Sequence, residues 1–135
     1  MEKIMRELLE SARKAALLSY SPYSRFRVGA AVLADGEIYQ GANIENASSN
    51  LGICAERIAI AHAIMHGANS ITGIALFCID APKDAEGNYT PHHSIPCGGC
   101  LQWLSELAPN AWLITNASDR PYTLSDLLPN PFRLN

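Results

Sequence analysis

Cys54-Ala55-Glu56 and Pro96-Cys97-Gly98-Gly99-Cys100 are the two stretches that decide how this 135-residue chain folds and what it can do. They carry three thiols, and three thiolates can bind Zn²⁺ tetrahedrally while leaving the fourth position to water. An open position distinguishes catalytic from structural zinc. Glu56 is too close to Cys54 to be a comfortable ligand of the same metal, but it can reach that water. The pattern therefore predicts a hydrolytic zinc site with Glu56 as general acid and base.

The same stretches are typical of helix starts. If Pro96 is the first residue of a helix, Cys97 and Cys100 lie on one face of its first turn, and Cys54 supplies the third thiol. The unpaired N–H groups of a first helical turn carry partial positive charge, which lowers the pKa of a thiol placed there. We therefore expect a helix to begin at each cysteine cluster.

The net negative charge of such a zinc site requires a positively charged group nearby. Three thiolates and one Zn²⁺ sum to about −1, which weakens the metal as a Lewis acid and opposes ionisation of its water. Arg57 is the next residue along the same helix. We predict that Arg57 donates hydrogen bonds to a thiolate and offsets part of this charge.

Periodicity along the rest of the chain predicts alternating helices and strands. Apolar residues at helical spacing, together with residues that typically begin or end helices, predict helices over residues 3–19, 54–66, 97–107 and 124–128. Thr123 or Ser125 is expected to cap the last of these helices. Short apolar runs predict strands over residues 28–33, 38–44, 71–79 and 111–115. Asp35-Gly36 predicts a hairpin between the first two strands. Helices alternating with strands favour an α/β fold, with layers of helix around one sheet.

Composition restricts the class of protein. The length fits one domain, residues 1–135, and oligomerisation would add burial to so small a core. A net charge of −3 offers no electrostatic footprint for nucleic acid. No run reaches the roughly 18 apolar residues of a membrane span. Charged residues interrupt the opening stretch, so we expect no signal peptide. Without an export signal, the four cysteines are expected in metal or core roles rather than in disulfides, and the protein in the cytoplasm.

Together, the two cysteine stretches resemble the signature of the zinc-dependent deaminases. Further stretches are similar to the small homotetrameric cytidine deaminases: Ser21-Pro22-Tyr23-Ser24-Arg25-Phe26, Val28-Gly29-Ala30-Ala31, Gly41-Ala42-Asn43-Ile44-Glu45-Asn46, Ile53-Cys54-Ala55-Glu56-Arg57 and Leu127-Leu128-Pro129. The resemblance covers nearly the whole chain. It implies a three-layer α/β/α sandwich around one mixed sheet, a Zn²⁺ cofactor, a homotetramer, and hydrolytic deamination of cytidine and 2′-deoxycytidine in pyrimidine salvage.

The resemblance also implies a role for individual residues. Cys54, Cys97 and Cys100 would bind zinc, and Glu56 would shuttle protons. Asn43 and Glu45 would bind the ribose hydroxyls, Phe26 would pack against the substrate, and the Ala55 amide would bind the pyrimidine carbonyl. Arg57 and Gln102 would support the metal ligands from behind. Phe132 would reach into the pocket of a neighbouring subunit.

Three features depart from the family pattern. Leu101 stands where the family commonly has Arg after its last zinc cysteine, and Ser49 stands where many relatives carry a Tyr that contacts substrate from a neighbouring subunit. The stretch over residues 81–95 is longer than in compact relatives and contains His92-His93. We expect this pair to end an exposed loop, and its nearness to Pro96 leaves substrate binding open as the alternative. These departures affect the shape of the pocket, and therefore which nucleoside the chain accepts.

Other interpretations of the same residues stay open at this point. A structural zinc site would need a fourth ligand, for which Cys78, His92 or His93 is available. A deaminase of this fold could act on a nucleoside antibiotic such as blasticidin S, or on polynucleotides. Phe26 is equally a core aromatic, and Asn43 with Glu45 could mark an exposed strand edge because alternation puts both side chains on one face.

Overall fold

The computed structural model describes residues 2–135, in which helices and strands alternate along the chain. The elements are α1 (Lys3–Ala16), β1 (Val28–Ala34), β2 (Glu37–Ala42), α2 (Ala55–Met65), β3 (Ile71–Cys78), α3 (Gly98–Leu107), β4 (Trp112–Thr115) and α4 (Leu124–Leu127), with 3₁₀ turns at Ser49–Leu51 and Pro91–His93. No helix in the described part of the chain is long and apolar enough to cross a membrane.

The strands form one mixed sheet in the order β2-β1-β3-β4. β1 pairs antiparallel with both β2 and β3, whereas β3 and β4 run parallel. Asp35 and Gly36 both have positive φ, 51° and 80°, as a two-residue type I′ hairpin requires. The Asp35 carboxylate accepts hydrogen bonds from the backbone N–H groups of Asn69 and Ser70, so the hairpin is also tied to the start of β3.

Helices cover both faces of this sheet. On one face α1 places Leu8 and Ala12 in a core with Ala31, Ala75 and Ile114. On the other face α2 and α3 pack over a larger core that includes the alternate strand positions, among them Ala30, Val32, Ile74 and Leu76. The predicted three-layer α/β/α arrangement around a mixed sheet is therefore confirmed.

The site depends on how closely α2 approaches β2. A Cβ atom at Gly41 would lie 2.4 Å from the backbone nitrogen of Ala59 and 2.5 Å from the carbonyl oxygen of Ala55. Only glycine fits at that distance, so the first turns of α2 lie against the edge strand. This contact fixes the position of Cys54, the residue immediately before α2.

Some element boundaries differ from those that the sequence predicts. α1 ends at Ala16 rather than at residue 19, because the chain turns there and Tyr20 forms a bridge with Ile44. β2 ends at Ala42, beyond which Ile44 pairs with Ile53 outside the sheet. Pro96 is not the first residue of α3, since Cys97 has extended backbone angles and occupies the N-cap position.

Candidate active site

Two helix starts bring three thiols together. Cys54 and Cys97 are the N-cap residues of α2 and α3, and Cys100 lies in the first turn of α3. The Sγ atom of Cys97 lies 3.9 Å from that of Cys54 and 3.5 Å from that of Cys100. All three sulfur atoms are within 4.8 Å of one another. Residues far apart in sequence therefore form one compact thiol cluster.

The spacing of the sulfur atoms fits a tetrahedral zinc site. A Zn–S distance of about 2.3 Å separates two sulfur ligands by about 3.8 Å in tetrahedral geometry. Within residues 2–135 the cluster of metal-ligating groups contains the three thiols alone, without Cys78, His92 or His93. Three protein ligands leave the fourth position free, which is the arrangement of catalytic zinc.

Hydrogen bonds favour the thiolate form of Cys54. The Cys100 thiol and the Arg57 guanidinium, both donating to it, lower the pKa of Cys54 to about 5. Arg57 Nη2 lies 3.6 Å from Cys54 Sγ. The same contact with Cys54, together with burial, raises the pKa of Cys100. The surroundings of Cys54 therefore favour a thiolate there, and Arg57 offsets part of its charge.

Glu56 lies beside the cluster, in the first turn of α2. It is 4% exposed, and among residues 2–135 it is the only charged residue in the buried class. Burial raises the pKa of Glu56 to about 7, and the nearby charge of Cys54 adds to the effect. A carboxyl group poised between its two protonation states near neutral pH can both accept and return a proton.

A cavity of about 320 Å³ opens next to the thiol cluster. It lies at the edge of the sheet where β1 begins and β2 and β3 end, next to the first residues of α2 and the residue before α3. Its mostly apolar wall is formed by Ser24, Phe26, Val28, Asn43, Glu45, Cys54, Ala55, Glu56, Leu76, Cys78, His93, Ile95 and Cys97. Its size suits a small ligand.

Asn43 and Glu45 hold one wall of this cavity in place. The Asn43 amide donates to the carbonyl of Phe26 at 2.8 Å and accepts from the N–H of Val28 at 2.9 Å. The Glu45 carboxylate accepts from the N–H groups of Tyr23 and Ser24 and from the Ser24 hydroxyl. The hydrogen bonds from Ser24 and Tyr23 lower the pKa of Glu45, so it stays ionised.

The structure brings most of the sequence-predicted site residues to this cavity. Phe26 lines it and also packs against the larger core, so the core interpretation is confirmed and the contact with substrate stays a prediction. Arg57 contacts the thiol cluster without lining the cavity. Gln102 and Phe132 lie elsewhere, where Gln102 Nε2 donates to the Phe132 carbonyl at 3.0 Å. The Phe132 residue is 69% exposed and does not reach the cavity of its own chain.

Several residues that line the cavity are not among the site residues that the sequence predicts. Ser24 lines the cavity because it is hydrogen-bonded to Glu45, and Cys78 lines it because β3 ends there. His93 lines the cavity from the long 81–95 stretch. Of the departures from the family pattern, Leu101 is buried in the core and Ser49 begins an exposed 3₁₀ turn.

Comparison with known proteins decides the family. The model of the cytidine and deoxycytidylate deaminase zinc-binding region matches residues 2–115. The chain belongs to this family. A curated cytidine deaminase of Halalkalibacterium halodurans is 39% identical over 130 residues, which are 93% of this chain and 91% of the relative.

Solved structures agree with this membership. The crystal structure of cytidine deaminase from Mycobacterium tuberculosis superposes with a TM-score of 0.80 at 34% identity and covers 98% of this chain and 100% of that one. The crystal structure of cytidine deaminase from Burkholderia pseudomallei superposes with a TM-score of 0.78 at 34% identity, again over 98% of this chain and 100% of that one. The predicted family, α/β fold, deaminase class and zinc dependence are confirmed.

Replacing Arg57 tests its place behind the thiols. We expect Arg57→Ala to keep zinc but to lower kcat roughly 10–100-fold, because an uncompensated thiolate charge weakens the metal as a Lewis acid. Turnover and zinc content of the purified variant measure this. Arg13→Ala, which removes an exposed guanidinium paired with Glu10, is the control and should change neither. Normal turnover in Arg57→Ala would remove this residue from the mechanism.

Proposed function

We propose that this chain hydrolyses cytidine and 2′-deoxycytidine to the corresponding uridines, with release of ammonia, as a step of pyrimidine salvage. The observation that carries the proposal is the position of Glu56, a buried carboxylate beside an open three-thiol cluster in a cavity of nucleoside size. Membership of the deaminase family supports the same reaction. The substrate is a small molecule, since a net charge of −3 provides no path for a polynucleotide backbone.

Cys54, Cys97 and Cys100 would hold the metal. When bound, Zn²⁺ lowers the pKa of a water molecule at its open position and so provides a nucleophile at neutral pH. Glu56 accepts a proton from the attacking water, whose oxygen bonds to C4 of the base. Glu56 delivers this first proton to N3. It then accepts the remaining proton of the new C4 hydroxyl and delivers it to the amine, so that the C4–N bond breaks, ammonia leaves and C4 becomes the carbonyl carbon of the uridine.

The walls of the cavity would hold the nucleoside within reach of Glu56. Asn43 and Glu45 follow β2 and present amide and carboxylate groups, which suit the vicinal hydroxyls of a ribose. Phe26 supplies a flat apolar surface for the base, and the first-turn N–H of Ala55 points out of the start of α2. We assign the pyrimidine carbonyl to this N–H. Such positioning is a large part of enzymatic rate enhancement.

We also propose that the protein is a homotetramer of single-domain subunits, each formed by residues 1–135. Large apolar side chains are exposed at several places along the chain, including Leu18, Leu51, Met65 and Phe132, and association would cover them. In a tetramer Phe132 could enter the cavity of a neighbour, and Gln102 would support the segment that carries it through their hydrogen bond.

A reducing compartment suits this chemistry. All four cysteines are free thiols, and three of them must stay reduced in order to bind zinc. Thiols of this kind persist in the cytoplasm, where disulfides are rare. We therefore propose a cytoplasmic location.

Glu56→Gln separates proton transfer from metal binding. The amide keeps the shape of the side chain but cannot accept and return a proton, so we expect zinc to remain and kcat to fall at least about 100-fold. Steady-state turnover and zinc content measure the two effects. Glu106→Gln, at an exposed position of α3, should behave like the wild type. A Glu56→Gln enzyme with near-normal kcat would contradict the proposed role.

A panel of amines tests the substrate class. The ultraviolet absorbance of cytidine, 2′-deoxycytidine, free cytosine and blasticidin S is followed separately with zinc-loaded protein. We expect turnover of the two nucleosides and little of free cytosine, because cytosine lacks the sugar that Asn43 and Glu45 would hold. Turnover of blasticidin S alone would replace the proposed substrate with a nucleoside antibiotic, and turnover of none would contradict a catalytic site.

A further inference from the structure

The 81–95 stretch is an ordered loop rather than a loose insertion. Lys83 and Tyr89 form a bridge, and the Asp84 carboxylate accepts hydrogen bonds from the N–H groups of Glu86 and Asn88 at 3.0 and 2.9 Å. The Tyr89 ring packs edge-on against Phe77 of β3, with centroids 5.9 Å apart. The loop is therefore anchored to the sheet that carries the cavity.

This loop delivers His93 to the cavity in a fixed orientation. His93 ends the 3₁₀ turn Pro91–His93, and its Nδ1 lies 2.7 Å from the hydroxyl oxygen of Thr90. The Thr90 hydroxyl donates its one proton to the carbonyl of Pro82 at 3.3 Å. Both contacts are satisfied when Nδ1 of His93 carries a proton and donates it to Thr90. In the neutral ring Nε2 is then left as a hydrogen-bond acceptor.

His93 and Glu45 reach the cavity wall from different parts of the fold. β1 lies between β2 and β3 in the sheet, and Glu45 follows β2 whereas the loop that carries His93 follows β3. Both residues belong to the wall of the same cavity. Among residues 2–135 Nε2 of His93 has no hydrogen-bond partner, so it is available to a ligand.

We propose that Nε2 of His93 accepts a hydrogen bond from the 5′-hydroxyl of the nucleoside. This inference rests on the proposed function, in which Asn43 and Glu45 take the 2′ and 3′ hydroxyls. The 5′ carbon leaves the opposite face of the sugar ring from the 2′ and 3′ hydroxyls, so its hydroxyl needs a partner from another part of the wall, and His93 offers an acceptor there. His93 is thus a substrate-binding residue that discriminates nucleosides by the group at their 5′ position.

Comparison of cytidine with 5′-deoxycytidine tests the contact, because the second compound lacks only the hydroxyl in question. We expect His93→Ala to lower kcat/KM for cytidine about three- to tenfold, the usual range for one neutral hydrogen bond, mainly through KM. The same substitution should leave kcat/KM for 5′-deoxycytidine unchanged. His93→Gln, whose side-chain oxygen can replace Nε2, should recover most of the loss on cytidine.

His92→Ala is the matched control, since His92 belongs to the same 3₁₀ turn but does not line the cavity. It should leave both substrates unaffected. Equal losses on both substrates in His93→Ala would overturn the proposal and assign His93 a purely structural role. Wild-type protein that treats the two substrates alike would also overturn it, without the need for a variant. Wild-type protein inactive on cytidine would instead overturn the proposed function itself.

Discussion

The convergence of two helix starts is the constraint on which the rest of this structure depends. Cys54 precedes α2 and Cys97 precedes α3, and the two helices must meet at their first turns for three thiols to share one metal. The close contact of Gly41 with the backbone of α2 sets the position of one of these helices. Loss of either helix position would separate the sulfur atoms and remove the metal site.

The same convergence controls the electrostatics of the site. Unpaired N–H groups at the first turns and the guanidinium of Arg57 stabilise negative charge on sulfur. Glu56 lies on α2 only two residues from Cys54, yet burial favours its neutral form. The start of one helix therefore carries both a prospective metal ligand and a carboxyl group that can exchange a proton near neutral pH.

The sequence predicts the parts of the site that short-range patterns control. The thiols, Glu56 and the Asp35-Gly36 hairpin follow from residue type and spacing, and the structure places them where the pattern indicates. Helix ends are harder to predict, because long-range pairing of Tyr20 with Ile44 stops α1 early. The sequence leaves substrate binding by His92-His93 open without deciding it, since the position of His93 depends on how the whole 81–95 loop packs on β3.

X-ray absorption at the zinc edge of the purified protein measures directly how many ligands the protein gives the metal. We expect one zinc per chain with three sulfur ligands at about 2.3 Å and one lighter ligand at about 2.0 Å. The lighter ligand should exchange when an inhibitor that mimics the hydrated pyrimidine is added. Four ligands from the protein, with no change on addition of the inhibitor, would make the zinc structural and contradict the account.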